Sequence, residues 1–96
     1  MSVYLGMVET FREIAADKQQ ALKPLEEAAE VYSAWQDLDR LSMRDVSVSG
    51  DAYDDLLGEC ADVIQSVCNL LAALGVEDFT HEIELCRRRN ADRGRI

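Results

Sequence analysis

The sequence predicts an all-α protein, a four-helix bundle-like domain spanning residues 1–96, and two observations carry that expectation. Alanine, leucine and glutamate are abundant against one proline and five glycines, a composition that favours helix and supplies few breakers. Apolar residues recur at spacings of three and four, and nowhere alternate with period two for long enough to make a sheet. No repeat, low-complexity tract or linker divides the chain. Ninety-six residues suit one modest core that is marginal for a single chain, so self-association is expected.

The first predicted helix covers residues 3–18, where Tyr4, Met7, Val8, Phe11, Ile14 and Ala15 fall on one face. The second covers residues 22–38, and Pro24 requires that its first turn contain that position. A loop over residues 39–50 follows, its Ser-Val-Ser-Gly end closing on Asp51 as a helix cap. The third helix covers residues 51–74 and stops at Gly75. The fourth covers residues 78–90, capped by Asp78 or Thr80.

Charge and cysteine content exclude several classes. Nineteen acids against ten bases give a net charge of -9, so a nucleic-acid polymer is not an expected partner. From Asp45 to Cys86 there is no Lys or Arg, whereas residues 87–96 carry Arg87, Arg88, Arg89, Arg93 and Arg95. Cys60, Cys68 and Cys86 form neither a zinc spacing nor a disulfide framework, and read as buried, reduced thiols. The start does not read as a signal peptide, and the apolar run at 67–74 is too short to span a bilayer. A cytoplasmic protein without a membrane partner is expected.

The acids resolve onto particular helix faces. With successive residues about 100° apart, Asp55, Glu59, Asp62, Ser66 and Asn69 form one narrow stripe. The remaining arc of that helix is apolar and wider than one neighbour covers, which places it centrally and across a subunit interface. On the second helix, Glu27 borders the apolar arc beside Val31, Ala34 and Leu38, with Glu30 about 60° away and Glu26 further toward the polar side. If the two helices pack antiparallel, the pairs Glu27/Glu30 and Glu59/Asp62 face each other.

Four carboxylates converging without a base would repel and raise one another's pKa unless a cation neutralised them. Oxygen ligands without histidine suit Mg²⁺ or Mn²⁺ rather than zinc. The single histidine, His81, reads as an exposed first-turn residue. The same acids also fit a merely solvated helix face, and at this level both readings stand.

The arrangement Glu26-Glu27-x-x-Glu30, then 28 residues, then Glu59-x-x-Asp62 within "LLGECADVIQSVCNLLAALG" resembles the EExxE…ExxD signature of MazG-like, all-α nucleoside triphosphate pyrophosphohydrolases. The ending "RRRNADRGRI" is similar to the basic tail of phage and bacterial members. The resemblance covers roughly residues 21–96, and Gly58 departs from it where members often carry a second acid. It implies a helical bundle, a homodimer or homotetramer, that uses Mg²⁺ to cleave a nucleoside triphosphate into the monophosphate and pyrophosphate. It further implies that Glu27, Glu30, Glu59 and Asp62 are metal ligands and that Glu26 orients the attacking water or takes a further metal.

An acidic site cannot hold a triphosphate unaided, and Arg89 and Arg93, an i,i+4 pair, are candidate phosphate ligands, with Lys23 and Asn69 further substrate-side candidates. Tyr32 and Trp35 read as core or interface residues, with base stacking as the alternative. Two other functions fit the pattern: a non-catalytic helical dimerisation module, and a nucleotide sensor that keeps the site without turnover. The absence of a base among the four acids favours the hydrolase, because a solvated face normally mixes signs.

Overall fold

The computed structural model describes residues 1–42 and 46–96, and among these it is all-α with three helices and no strand. They are α1 (Lys18–Ser42), α2 (Val46–Ala73) and α3 (Thr80–Asp92). The helix predicted at residues 3–18 does not form. Gly6 takes φ +79°, a left-handed conformation that breaks a right-handed helix, and Asp17 starts α1 instead. Its Oδ1 accepts the Gln20 amide at 2.9 Å and its carbonyl accepts that of Ala21 at 3.1 Å, the bonds of an N-cap.

The N-terminal segment instead runs across α2 as a strap. The Phe11 amide donates to Asn69 Oδ1 at 3.0 Å, and Gln65 Nε2 donates to the Glu9 carbonyl at 2.9 Å. These tertiary bonds satisfy backbone groups that a helix would have satisfied internally. The apolar periodicity of the strap buries little: Tyr4, Met7 and Phe11 are exposed.

Helix α1 begins earlier than the sequence suggests, so Pro24 lies in its second turn rather than its first. One backbone bond, to the Gln20 carbonyl, is thereby forfeited. The predicted loop is also shorter. Residues 39–42 and 46–50 are helical, and Met43 to Asp45 lie outside the described residues. Asp51 is therefore inside α2 rather than at its start, and the following Ala52 is buried.

Gly75 ends α2 as expected. It sits at φ +83°, with the Val76 amide bonded to the Leu71 carbonyl and the Gly75 amide to that of Ala72, both at 2.9 Å, the paired bonds of a Schellman end. At α3 the cap position belongs to Phe79, not to Asp78 or Thr80. Asp78 still serves the helix start, since its Oδ1 accepts the Thr80 amide at 2.9 Å and the Thr80 hydroxyl at 2.7 Å.

Helices α1 and α2 form an antiparallel hairpin. Leu41 and Ala52 line one cavity with Glu30 and Glu59, while Glu27 and Asp62, then Gln20 and Asn69, line the next. Position climbs along one helix as it falls along the other. Among the described residues, helix α3 packs on neither α1 nor α2. The chain is open as a result: its radius of gyration is 16.1 Å, against about 12.5 Å for a compact domain of this length.

Among the described residues only Ala52, Ser66 and Asn69 are buried, and they lie along the hairpin seam. Cys60 and Cys68 are half-buried and Cys86 is exposed, so the expectation of buried thiols fails for the last; all three are free. Tyr32 and Trp35 are likewise exposed in the single chain, their ring centroids 6.1 Å apart. Residues Gly50–Ala73 of α2 are long and apolar enough on average to match a membrane span, a length the shorter apolar run at 67–74 did not suggest. The same helix carries a stripe of carboxylates that a lipid interior would penalise.

Candidate metal centre

The antiparallel hairpin brings three of the four predicted acids together. One carboxylate oxygen from each of Glu27, Glu30 and Glu59 lies within 4.8 Å of the others. Asp62 stands one turn beyond Glu59, lining a cavity with Glu27. Spacing explains the convergence: Glu27 and Glu30 share a face of α1, Glu59 and Asp62 share a face of α2, and both faces meet at the seam.

The electrostatics are those of like charges held close. Glu27 has its pKa raised, first by burial and then by the charges of Glu30 and Asp62, against a smaller lowering by Lys23. Glu59 is raised first by a hydrogen bond shared with Glu30, then by burial, then by the charges of Glu30, Asp62 and Glu27. A hydrogen bond between two carboxyl groups requires a proton on one of them, so the cluster holds protons more tightly than free glutamates do. Glu59 Oε2 is buried and has no hydrogen-bond partner. An unpaired buried carboxylate oxygen beside two further carboxylates fits a hard cation by its donor chemistry.

Two cavities adjoin the cluster end to end along the groove. One, of about 580 Å³, is lined by Glu30, Asp37, Arg40, Asp51, Asp55 and Glu59 among others. The second, of about 440 Å³, is lined by Phe11, Gln20, Lys23, Glu27, Asp62 and Asn69 among others. Lys23 and Arg40 thus correct the expectation that no base stands among the acids. Arg40 escaped notice because its relation to Glu30 is ten residues along α1, nearly three turns; its guanidinium bonds Asp37 at 3.1 Å. Phe11 was hidden by the helix predicted for the strap.

The remaining predicted residues are placed differently. Glu26 pairs with Lys23 at 3.2 Å on the exposed side of α1 and is not part of the triad. Asn69 is buried, and its Oδ1 already accepts the Phe11 amide and Gln65 Nε2, each at 3.0 Å. Arg89 and Arg93 belong to α3 and its end, and line neither cavity. His81 is an exposed residue of the first turn of α3, as expected. No protein-family model matches the chain, and no curated protein or solved structure matches it.

Proposed function

We propose that the chain is a Mg²⁺-dependent nucleoside triphosphate pyrophosphohydrolase of the MazG-like, all-α type, acting in the cytoplasm, with Mn²⁺ as a possible substitute. The observation that carries the reading is the clustering of Glu27, Glu30 and Glu59 within 4.8 Å, with Glu59 Oε2 buried and unpaired, between two cavities that also offer cations.

In this reading Glu27, Glu30, Glu59 and Asp62 hold the metal. Bound Mg²⁺ would supply charge neutralisation of the phosphates and acidify water for in-line attack on the α-phosphorus. The chain's own groups do the positioning. Arg40 and Lys23, which line the two cavities, take the phosphate-binding role within one chain that the sequence assigned to Arg89 and Arg93. A carboxylate of the acidic cluster receives the proton released by the attacking water. The α–β anhydride bond then breaks, and pyrophosphate leaves with the bridging oxygen.

The test is a panel of ribo- and deoxyribonucleoside triphosphates incubated with Mg²⁺, with pyrophosphate and monophosphate quantified. Cleavage that Glu59→Gln and Asp62→Asn each abolish, with helical circular dichroism retained, is the expected result. If no triphosphate is cleaved and neither Mg²⁺ nor Mn²⁺ changes thermal stability, the hydrolase reading is wrong. Metal- and nucleotide-dependent stabilisation without cleavage would identify a sensor instead.

A further inference from the structure

The second groove cavity is bordered by the strap, and the strap places an aromatic residue there. Phe11 lines that cavity together with Lys23, Glu27, Asp62 and Asn69, and it is 62% exposed. Among the described residues it is the one aromatic residue lining either groove cavity, since Tyr32 and Trp35, the stacking candidates on α1, line neither. A phenylalanine this exposed gains little from burial, yet the backbone beneath it is held by two long-range bonds. Its own amide donates to Asn69 Oδ1 at 3.0 Å, and Gln65 Nε2 donates to the Glu9 carbonyl at 2.9 Å. Gln65 Nε2 also donates to Asn69 Oδ1 at 3.0 Å, which joins the two bonds into one network. Phe11 is thus fixed where a ligand in the groove meets it.

The same network uses up polar groups that a base edge would otherwise meet. The Gln65 amide nitrogen makes two bonds, Asn69 Oδ1 accepts two, and the Ser66 hydroxyl donates to the Val63 carbonyl at 2.7 Å. Gln20, a further amide in the cavity lining, carries a donor and an acceptor on one rotatable group and so suits any base. What the strap offers a flat heterocycle is a ring face, and stacking tolerates any base because every base has a π face.

We propose that Phe11 is the platform on which the nucleobase stacks, held by Asn69 and Gln65 as positioning residues, and that the site accepts nucleoside triphosphates with little regard to base. The inference rests on the proposed hydrolase site, which it deepens by giving the substrate a direction along the groove. With the base on Phe11, the phosphate chain passes Lys23 to the acidic cluster, and its far end reaches toward Arg40 in the other cavity. Asn69 acts on the substrate through the strap.

Calorimetric titration of the full chain with the α,β-methylene triphosphates of adenosine, guanosine, cytidine and uridine, in Mg²⁺, reads binding whether or not the chain cleaves. The four should bind within about 5-fold of one another. Phe11→Ala keeps the amide that bonds Asn69, and should weaken all four alike by ~10-fold. Phe11→Trp should restore them, and inorganic tripolyphosphate should bind the parent and Phe11→Ala equally. Gln65→Leu should also weaken nucleotide binding, and combined with Phe11→Ala it should cost no more than Phe11→Ala alone, because both act through one ring. Affinity unchanged in Phe11→Ala, an equal loss for tripolyphosphate, or additive losses in the double variant would overturn the inference. So would a preference above ~10-fold for bases bearing an amino group, which would make the exposed Glu13 of the same cavity a reader of the base edge. The expected binding pattern without cleavage of natural triphosphates would leave the inference standing and end the hydrolase reading. Cleavage with a KM unmoved by Phe11→Ala would do the reverse, and binding of no triphosphate would end both.

Discussion

Glu59 in the groove and Glu84 on α3 are the same residue type, both half-buried, yet their proton affinities move in opposite directions. Glu84 meets Arg87 at 2.7 Å and Arg88 at 3.3 Å. Its pKa is lowered to about 2, foremost by the hydrogen bonds from Arg87, and Arg87 is raised in return. Glu59 meets Glu30, Asp62 and Glu27, and is raised. Placement on the chain decides the outcome: α3 carries its cations at i+3 and i+4 from its acid, whereas α2 carries none between Val46 and Ala73. A surface ion pair such as that of Glu84 stabilises little and requires no ligand. The groove is an arrangement that folding alone does not favour.

The sharpest way to break this contrast is to neutralise one side of it. Glu59→Gln should lower triphosphate turnover by ~100-fold or more, as loss of a metal-side or transition-state contact does. It should also remove any rise in melting temperature that the proposed Mg²⁺ binding gives the parent chain. Glu84→Gln should leave both readings within experimental scatter of the parent. Equal losses in the two variants would mean that the groove acids are no more than a solvated face.

Next in size is the pH dependence of the metal-free protein. A carboxylate whose pKa is raised on folding contributes stability that is fully present below its unfolded value and lost as pH rises through the folded one. Glu27 and Glu59 are both raised from 4.5, so in chelator the melting temperature should fall as pH climbs above the ordinary glutamate range. Glu84 and Asp78 are lowered; their contributions are present above the ordinary carboxylate range and lost only as pH falls below it, so they leave this window untouched. Glu59→Gln should flatten the slope, and saturating Mg²⁺ should do the same in the parent. Melting curves across the window, with and without metal, check both.

How much of this was legible beforehand follows from which forces are local. That Glu27 and Glu30 share one helix face, and Glu59 and Asp62 another, could be read from helical spacing alone, because spacing within a helix is a backbone property. The stop at Gly75 was legible for the same reason. The strap was not, although Asp17-x-x-Gln20 is a helix-start pattern that the apolar periodicity of residues 3–18 obscured. That periodicity expresses only a tendency, and a helix needs a surface on which to bury its apolar face. The part played by Asn69 in holding Phe11 depends on residues 58 apart in sequence, and the approach of Arg40 to the cavity beside Glu59 depends on the hairpin. Neither relation exists until the helices pack.

The smallest expected effects concern those late-found cations, and they sharpen the comparison from the basic side. Arg40 lines the same cavity as Glu30 and Glu59, and its present partner is the exposed Asp37. An exposed pair contributes little to folding, so Arg40→Ala should shift the melting temperature by no more than about 2 °C. If the guanidinium meets a phosphate, the same change should raise KM for the triphosphate by ~10-fold, with Arg40→Lys recovering only part of it because lysine lacks the bidentate fork. Arg87→Ala supplies the contrast, since it removes a cation of similar exposure that is committed to Glu84 and lines neither cavity. Steady-state kinetics on the two variants decide whether a groove cation differs from an α3 cation. A KM unchanged in Arg40→Ala would return Arg40 to the class of solvated surface charges and leave Lys23 as the phosphate-side cation within the chain.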